Sequence, residues 1–374
     1  MPATIRVLGI EVVQSIQNLK NEIPLLADKA TMARVYVRSS DLAVDMQVTG
    51  TLELRRTSDA GEETSEVESE SRLQLRVDDI SDDDHARVAG QRRFLGRSLN
   101  FRLGRDQIRE GKVWARLKRV TPALAGDPEV LVQNSVDQVG VDFKRGPTLR
   151  VRAVGLRVRD PRTGHVHAPK PQHFESLRSY LERAFPVSKV EWSDITVDAA
   201  AGFEPPYSDE ETTIANPGPV WQAKFDIACA QLIAIRAHDI ADGTDPRTHY
   251  YGMVYHPNDF FVGAVSNVPD TPRPDVVGIG PAELEDGSYG AHELAHALGR
   301  LHPGFGDGQS PEDRDFPPQY RGRLSSSSSA KDHPHHGLDV GDRIERPRVL
   351  PFDEYYDLMT YRQPLWVSAY SYTG

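Results

Sequence analysis

Cysteine is almost absent from this sequence: Cys229 is the single thiol among 374 residues. The chain therefore has no second cysteine for an internal disulfide, and any metal site must be built mainly from nitrogen and oxygen ligands. Cys229 lies in an apolar segment, which favours packing in the core over catalysis. A chain with so little cysteine is typical of a reducing compartment.

Long hydrophobic runs are also lacking. The segment Met1 to Arg6 has neither the basic region nor the apolar run of a signal peptide, and no apolar stretch reaches membrane-spanning length. From the sequence as it stands we predict a cytoplasmic protein without membrane contact, while secretion through a removed leader or another route stays open. The sequence does not indicate an oligomeric state.

Basic residues are too few to outweigh the acidic ones. The chain has 44 Lys and Arg against 55 Asp and Glu, with a formal net charge of -11. Nucleic-acid binding depends on clustered Lys and Arg that neutralise phosphates, so this balance argues against a nucleic-acid partner. Hydrophobic residues at 38% and charged residues at 26% are typical of a folded globular protein, and the length predicts two domains.

The first 145 residues are rich in short runs of β-forming residues. Turn-forming or acidic segments separate these runs, and such spacing predicts a β-sandwich of the immunoglobulin-like kind. The acidic stretch Glu62 to Glu70 lacks the Asp-x-Asp-x-Asp-Gly order of a calcium loop, so we predict a solvated hairpin or loop there. The predicted strands are Ile5 to Ile10, Met32 to Val37, Met46 to Leu54, Leu73 to Val77, Ser98 to Leu103 and Val113 to Leu117.

A domain boundary is predicted near Lys144 to Pro147, because strands and helices alternate after it. Apolar residues three and four apart predict helices over Phe174 to Ala184 and Trp221 to Ala237. Strands are predicted over Leu149 to Val158, Tyr250 to Tyr255 and Val276 to Ile279. The sequence thus predicts an accessory β-sandwich domain over residues 1–145 and an α+β domain over residues 146–374.

Three histidines stand close together late in the chain. His292 and His296 are four residues apart, so on a helix both imidazoles point to one face and can bind one ion. Gly299 allows the chain to leave the helix with a positive φ, after which His302 can turn back toward the same ion. Three imidazoles leave a fourth position open, as in a catalytic rather than a structural zinc site, and Glu293 lies beside it.

This pattern, His-Glu-x-x-His-x-x-Gly-x-x-His, resembles the signature of the metzincin metallopeptidases. A methionine turn beneath the metal is the second hallmark of that group, and the segment Asp357-Leu358-Met359-Thr360-Tyr361 resembles it, with Met359 as the methionine. In the astacin and serralysin branches a tyrosine two residues after the methionine helps to stabilise the transition state, and Tyr361 stands at that position. The calcium-binding glycine-rich repeats of serralysins are absent. The resemblance covers about residues 290–361.

The resemblance implies a zinc-dependent endopeptidase with a protein or peptide substrate, so the α+β domain is expected to be a metzincin-like catalytic domain. The Zn²⁺ ligands would be His292, His296 and His302. Glu293 would act as the general base, and Tyr361 would donate a hydrogen bond to the developing oxyanion. The edge strand that pairs with an extended peptide in this group is expected within Phe260 to Gly280.

Two alternatives to an endopeptidase stay open. A zinc hydrolase of another class, acting on a cell-wall or other non-protein amide, would share the metal chemistry. A binding module that keeps zinc for structure alone would also bind the ion, but it would not need the carboxylate of Glu293. The presence of Glu293 therefore argues against the binding module.

A second group of histidines could bind another metal, although a polar loop beside a serine run explains it better. Its members are His333, His335 and His336. His165 and His167 are not expected to be ligands. Asp307 and Asp315 could shape the cleft or bind calcium, but their spacing does not require either role.

Overall fold

The computed structural model is a multi-sheet α+β protein in which strands predominate over helices. The residues that it describes are 2–39, 41–58, 61–77, 83–134, 138–204, 219–255, 264–265, 267–282, 286–304, 312–326 and 333–374. Within these residues, no helix combines the length and the apolar character needed to cross a membrane.

The described part of the first 145 residues consists mainly of strands, which confirms the β-rich character predicted for it. In chain order they are β1 (Ala3–Val13), β2 (Ile16–Gln17), β3 (Leu25–Leu26), β4 (Met32–Ser39), β5 (Met46–Ser58), β6 (Gly61–Glu68), β7 (Leu73–Leu75), β8 (Leu99–Arg102), β9 (Gly111–Pro122), β10 (Val130–Asn134) and β11 (Val139–Lys144). One helix, α1 (Asp84–Arg92), is not predicted by the sequence pattern. It begins after Asp83, whose side chain accepts hydrogen bonds from the backbone N–H groups of His85 and Ala86.

Two sheets of this half pack on one hydrophobic core. The first has the strand order β10, β1, β4, β8, and the second has the order β3, β11, β9, β5, β6, with β7 also paired to β5. In β9 the side chains of Val113, Ala115 and Leu117 are buried and the residues between them are more exposed, as expected when one face of a strand covers a core. The acidic β6 is mostly exposed at the edge of its sheet and pairs with β5, in agreement with the predicted solvated hairpin.

Strands alternate with helices from residue 148 onward, as predicted. The strands are β12 (Thr148–Arg159), β13 (Val166–His167), β14 (Lys189–Asp198), β15 (His249–Val254), β16 (Ala264–Val265), β17 (Gly278–Pro281), β18 (His336–Asp339), β19 (Arg348–Leu350), β20 (Tyr356–Asp357) and β21 (Leu365–Trp366). The helices are α2 (Pro171–Ala184), α3 (Pro219–Ala241), α4 (Ser288–Ala297) and α5 (Ala369–Thr373).

The main sheet of the second half has the order β13, β12, β15, β17, β16, with β14 also paired to β12. Strands β12, β14, β15 and β17 are parallel, whereas the short β16 runs antiparallel to β17 at the edge. All of β15 is buried because helices cover both faces of the sheet. Tyr251 and Met253 lie in one core with α2 and α4, and Tyr250 and Val254 lie in another core with α3.

The apolar stripe predicted for the first helix of this half is confirmed. Its buried members are Phe174, Leu177, Tyr180, Leu181 and Ala184. In α3, Phe225, Ala228 and Leu232 are buried, whereas the side chain of Trp221 lies outside the described part of the chain. Cys229 is buried in the same core, and burial raises the pKa of its thiol to about 12. This cysteine therefore packs as an apolar side chain, as predicted.

Contacts cross the predicted domain boundary at residues 145 and 146. Strand β2 pairs with β18, so that Ile16 lies opposite Gly337. Ser15 donates a hydrogen bond from Oγ to the Arg183 carbonyl at 2.6 Å, and its own carbonyl accepts from Trp366 Nε1 at 2.9 Å. The division into two domains stays a prediction, and the segment around Ser15 belongs structurally with the second half.

Candidate metal centre

Helix α4 positions two of the three predicted histidine ligands. It is buried along its length, with Ala291 and Leu294 packed in the core against the main sheet. His292 and His296 lie one turn apart on the same face, and their ring centroids are 4.7 Å from each other. The helix predicted for this segment is therefore present, and it brings these two side chains together.

The turn after α4 is built on Gly299. This residue has φ +89°, its N–H donates to the His296 carbonyl at 2.8 Å, and the N–H of Arg300 donates to the Ala295 carbonyl at 3.0 Å. These two bonds form the Schellman motif that ends many helices. A Cβ at position 299 would lie 3.2 Å from the backbone of Thr271, so glycine is required here by both conformation and space.

Replacing Gly299 with alanine is expected to lower the free energy of unfolding by roughly 1–2 kcal/mol and to weaken metal binding. The added methyl group strains the turn that returns His302 to α4. Gly243→Ala is the matched control, because Gly243 has φ +99° but open space around it. Urea unfolding and metal titration of both variants give the comparison. An equal loss of metal affinity in the two variants would contradict the role assigned to this turn.

His302 completes the group of three. Its ring centroid lies 4.5 Å from that of His296 and 5.4 Å from that of His292, and its Nε2 is 3.1 Å from Nε2 of His296. One candidate ligand atom from each histidine lies within 4.8 Å of the other two. The His302 carbonyl accepts a hydrogen bond from the N–H of Asp313 at 2.7 Å, which anchors the segment that carries the third histidine.

Two backbone carbonyls fix the orientation of the imidazoles on α4. His292 Nδ1 lies 2.8 Å from the Leu358 carbonyl, and His296 Nδ1 lies 2.6 Å from the Arg300 carbonyl. A carbonyl only accepts, so each Nδ1 carries the proton and each Nε2 presents a lone pair to the group. This arrangement of a ligand nitrogen and a hydrogen-bonded second nitrogen is usual for histidines that bind metals.

Burial keeps the imidazoles of His292 and His296 neutral. The four side chains His292, Glu293, His296 and His302 are only 3–6% exposed. Burial, together with the neighbouring histidines, lowers the pKa of His292 to about 4 and that of His296 to about 2. His292 Nε2 is buried without a hydrogen-bond partner in the part of the chain that the structure describes. Three buried imidazoles that share one space fit a divalent cation.

The predicted methionine turn lies directly against this group, because the Leu358 carbonyl that orients His292 belongs to it. Asp357 holds the turn in shape: its buried carboxylate accepts hydrogen bonds from the N–H of Met359 at 2.8 Å and from Ser371 Oγ at 2.7 Å. The N–H of Ser368 also donates to this carboxylate, at 3.1 Å. Met359 is itself fully buried in the core. The turn therefore supports the group with a hydrogen bond as well as with apolar packing.

Glu293 follows His292 on α4, and Tyr361 lies beside His302. Glu293 is buried, which raises the pKa of its carboxyl to about 8, and it makes no hydrogen bond to any other described residue. A cation bound by the histidines would lower this pKa, because an opposite charge nearby favours the carboxylate. Tyr361 is 52% exposed, and its hydroxyl oxygen lies 3.1 Å from His302 Nε2. It therefore stands where the group meets solvent.

The other polar candidates form no comparable group. Among the described residues, His292, His296 and His302 are the only three metal-binding side chains that come close enough to share an ion. His333 instead stacks on His85, with ring centroids 4.3 Å apart, and the buried ring of His336 packs against Phe352. The Nε2 atom of His335 lies 3.9 Å from a carboxylate oxygen of Glu22. Asp307 and Phe260 lie outside the described residues.

The remaining polar candidates also stay apart from the three histidines. His165 and His167 lie in the hairpin of β12 and β13, with ring centroids 6.4 Å apart. Asp315 lies in a local turn in which its N–H donates to the carboxylate of Asp313 at 2.9 Å. The candidate site is therefore confined to the three histidines, Glu293 and Tyr361.

The sequence analysis placed Asp357 and Leu358 in the methionine turn but did not predict the hydrogen bonds by which they support the site. It also missed the Arg300 carbonyl and the pair Ser368 and Ser371. An aspartate that opens a turn is a recognised turn former, so Asp357 offered a signal. The two carbonyls offered none, because every residue has one.

The fold and the site together define an α+β protein with a buried three-histidine centre beside a glutamate. No family model matches the chain, and no curated protein matches it. A solved structure described as the "Structure of a chaperone-substrate complex" matches at 13% identity and a TM-score of 0.24. The match covers 47% of this chain and 30% of that one, so the chain spans less than a third of that structure. A similarity this weak carries no argument about fold or function.

Proposed function

We propose that the chain is a zinc-dependent endopeptidase of the metzincin type. One observation carries the proposal: three buried imidazoles converge, two of them oriented by backbone carbonyls, and Glu293 follows His292 on the same helix. Nitrogen ligands without thiolate suit zinc among the common catalytic metals. When bound to His292, His296 and His302, zinc supplies Lewis acidity that polarises a carbonyl and makes water more acidic.

Glu293 is the proposed general base. Glu293 follows His292 on α4, and in this role its carboxylate takes a proton from the attacking water. It then returns this proton to the amine that leaves. Burial raises the pKa of the Glu293 carboxyl to about 8 without metal, and a cation on the histidines would favour the carboxylate that accepts the proton. A binding module with structural zinc would have no use for such a group.

Tyr361 is the proposed second donor to the oxyanion. The hydroxyl oxygen lies 3.1 Å from His302 Nε2, and the ring is half exposed, so a substrate carbonyl can approach it from solvent. In this role the phenol gains its hydrogen bond to substrate as negative charge develops. Tyr361 therefore stabilises the transition state more than it contributes to substrate binding.

Substitution of Tyr361 by phenylalanine is expected to lower kcat for peptide cleavage about 10- to 100-fold, with KM changed less than about twofold. Phenylalanine keeps the ring but removes the donor. Tyr355→Phe, in which a half-buried ring outside the centre loses its hydroxyl, serves as the control. Steady-state kinetics on one cleaved peptide measure both variants. An unchanged kcat for Tyr361→Phe would assign this side chain to packing.

The main sheet has an edge strand to which an extended substrate could add. Strand β16 is the antiparallel edge strand beside β17, and both lie close to α4. An extended peptide can add to such an edge through backbone hydrogen bonds. This edge lies within the segment Phe260 to Gly280, where the substrate strand is expected. Residues 256–263 and 266 around β16 lie outside the described part.

Residues 1–145 are proposed to form an accessory β-sandwich domain of the immunoglobulin-like kind, and residues 146–374 the catalytic domain. Its two sheets share one core, which supports a sandwich arrangement. The cellular compartment is proposed as the cytoplasm because the chain has a single cysteine, as is typical of a reducing compartment.

The direct test of the metal requirement uses chelation and reconstitution. The purified chain should hold about one zinc per molecule, cleave a mixed peptide library, lose cleavage after removal of the metal, and regain it with one equivalent of zinc. Zinc binding without cleavage of peptides would favour the cell-wall amide hydrolase or the binding module. Cleavage that persists in the chelated chain would contradict the proposal.

A further inference from the structure

A cavity of about 630 Å³ lies on the flank of α4 away from the three histidines. The methionine turn, the first residues of β12 and the start of β15 close its other sides. None of the proposed metal ligands lines it, and neither Glu293 nor Tyr361 does. Its volume falls within the roughly 300–1,000 Å³ range of ligand pockets. The cavity is therefore adjacent to the metal centre but separate from it.

Apolar side chains form most of the cavity wall. They include Leu149, Phe185, Val187, Leu298 and Val367. Such walls favour the apolar body of a ligand, because water leaves both surfaces when they meet.

The charged part of the lining is basic. Arg150, Arg247 and Arg300 line the cavity, and no described acidic residue does. Arg150 pairs with Glu191 and Asp245, and Arg247 pairs with Asp245, so two guanidinium groups are balanced by two carboxylates. Arg300 makes no ion pair with any described side chain, and Gly374, which also lines the cavity, lies against its guanidinium group.

His249 supplies a further polar group. It lines the cavity at the start of β15, it is 95% buried, and its Nδ1 has no hydrogen-bond partner in the described part of the chain. Burial, with Arg236 nearby, lowers the pKa of this imidazole to about 4. Burying a polar nitrogen without a hydrogen bond is costly, so a ligand that forms a hydrogen bond with Nδ1 would be stabilised here.

We propose that this cavity is a binding site for a small amphipathic carboxylate, with the carboxylate at Arg300 and His249 and the apolar body against the wall of Leu149, Val187 and Leu298. One negative charge suits the Arg300 guanidinium, since guanidinium and carboxylate form strong charge-assisted hydrogen bonds. The walls also include Leu358 and Arg300, whose carbonyls orient His292 and His296. An occupant therefore contacts the residues that support the metal centre.

Isothermal titration calorimetry of the full zinc-loaded chain with decanoate tests this site. Decanoate should bind saturably at one site, and decanol, which has the same apolar body without the charge, should bind at least about tenfold more weakly. Arg300→Gln should weaken decanoate binding at least about tenfold. Arg346→Gln, at an exposed arginine outside the cavity, should leave it unchanged.

Val187→Phe provides a second variant, which narrows the cavity without altering its charge and should also weaken decanoate binding. Equal binding by Arg300→Gln and wild type would overturn the proposal, and it would place the carboxylate elsewhere, for example on the zinc. Equal binding of decanol, or no saturable binding of decanoate, would also overturn it. These readouts are independent of peptide cleavage, so the result stands whether or not the chain is a peptidase.

Discussion

Glutamine in place of Glu293 is expected to lower kcat/KM for peptide cleavage about a thousandfold while the chain keeps its zinc. The substitution preserves the size of a side chain that is buried on α4, but the amide cannot take a proton from water. General-base catalysis contributes roughly 10²- to 10⁴-fold. No described carboxylate belongs to the group of three histidines, and Glu293 is the acidic residue that lies on the same helix as His292 and His296. Kinetics on one cleaved peptide and elemental analysis of zinc measure the two quantities.

The matched control is Glu110→Gln, at an exposed glutamate in the first half of the chain. It should have wild-type kinetics and zinc content. A Glu293→Gln variant that cleaves within about twofold of wild type would remove this carboxylate from the mechanism. A variant that loses zinc together with activity would instead assign the residue to the stability of the metal site.

Loss of one imidazole is expected to have the largest effect on zinc affinity. His296→Ala should weaken zinc binding by more than about a hundredfold, because even the loss of a supporting hydrogen bond costs 10- to 100-fold in metal affinity. His296 is central to the group, with its ring near both other histidines and its Nδ1 held by the Arg300 carbonyl. Competition with a chromogenic chelator measures the affinity.

His165→Ala is the control for that substitution, since His165 is exposed and lies outside the three-histidine group. Its zinc affinity should equal that of wild type. The melting temperature gives a second readout: zinc should stabilise wild type and His165→Ala but have little effect on His296→Ala. Equal zinc affinity in His296→Ala and wild type would mean that the metal binds elsewhere.

The local part of the site follows from the sequence. Helix periodicity places His292 and His296 on one face, and the positive φ of Gly299 follows from its position after the last apolar turn of the helix. These inferences need only residues that are neighbours along the chain. The return of His302 to the same point agrees with the spacing, and the structure adds the contact with Asp313 that holds it there.

The supporting part of the site could not be predicted from the sequence in the same way. The hydrogen bond from His292 to the Leu358 carbonyl joins residues 66 positions apart, and its acceptor is a backbone atom that leaves no trace in the residue type. The cavity lined by Arg300 and His249 likewise depends on tertiary packing. Periodicity and spacing describe one element at a time, so contacts of this kind appear only in the folded chain.

The fold likewise has parts that local sequence patterns predict and parts that they do not. The β-rich first half and the alternating second half follow from residue patterns, and the strand predicted over Val276 to Ile279 is displaced by two residues in β17. The pairing of β2 with β18 is not predictable from these patterns. Ile16 and Gln17 form a strand of two residues, which is too short to give a periodic signal.

Cleavage of a diverse peptide library, read by mass spectrometry, tests the central claim most directly. Wild type, Glu293→Ala and chelated wild type are incubated with the same library, and the new peptide termini are compared. The account predicts cleavage at defined bonds by zinc-loaded wild type alone. Equal cleavage by Glu293→Ala, or cleavage by none of the three, would contradict the assignment of this centre as a zinc peptidase.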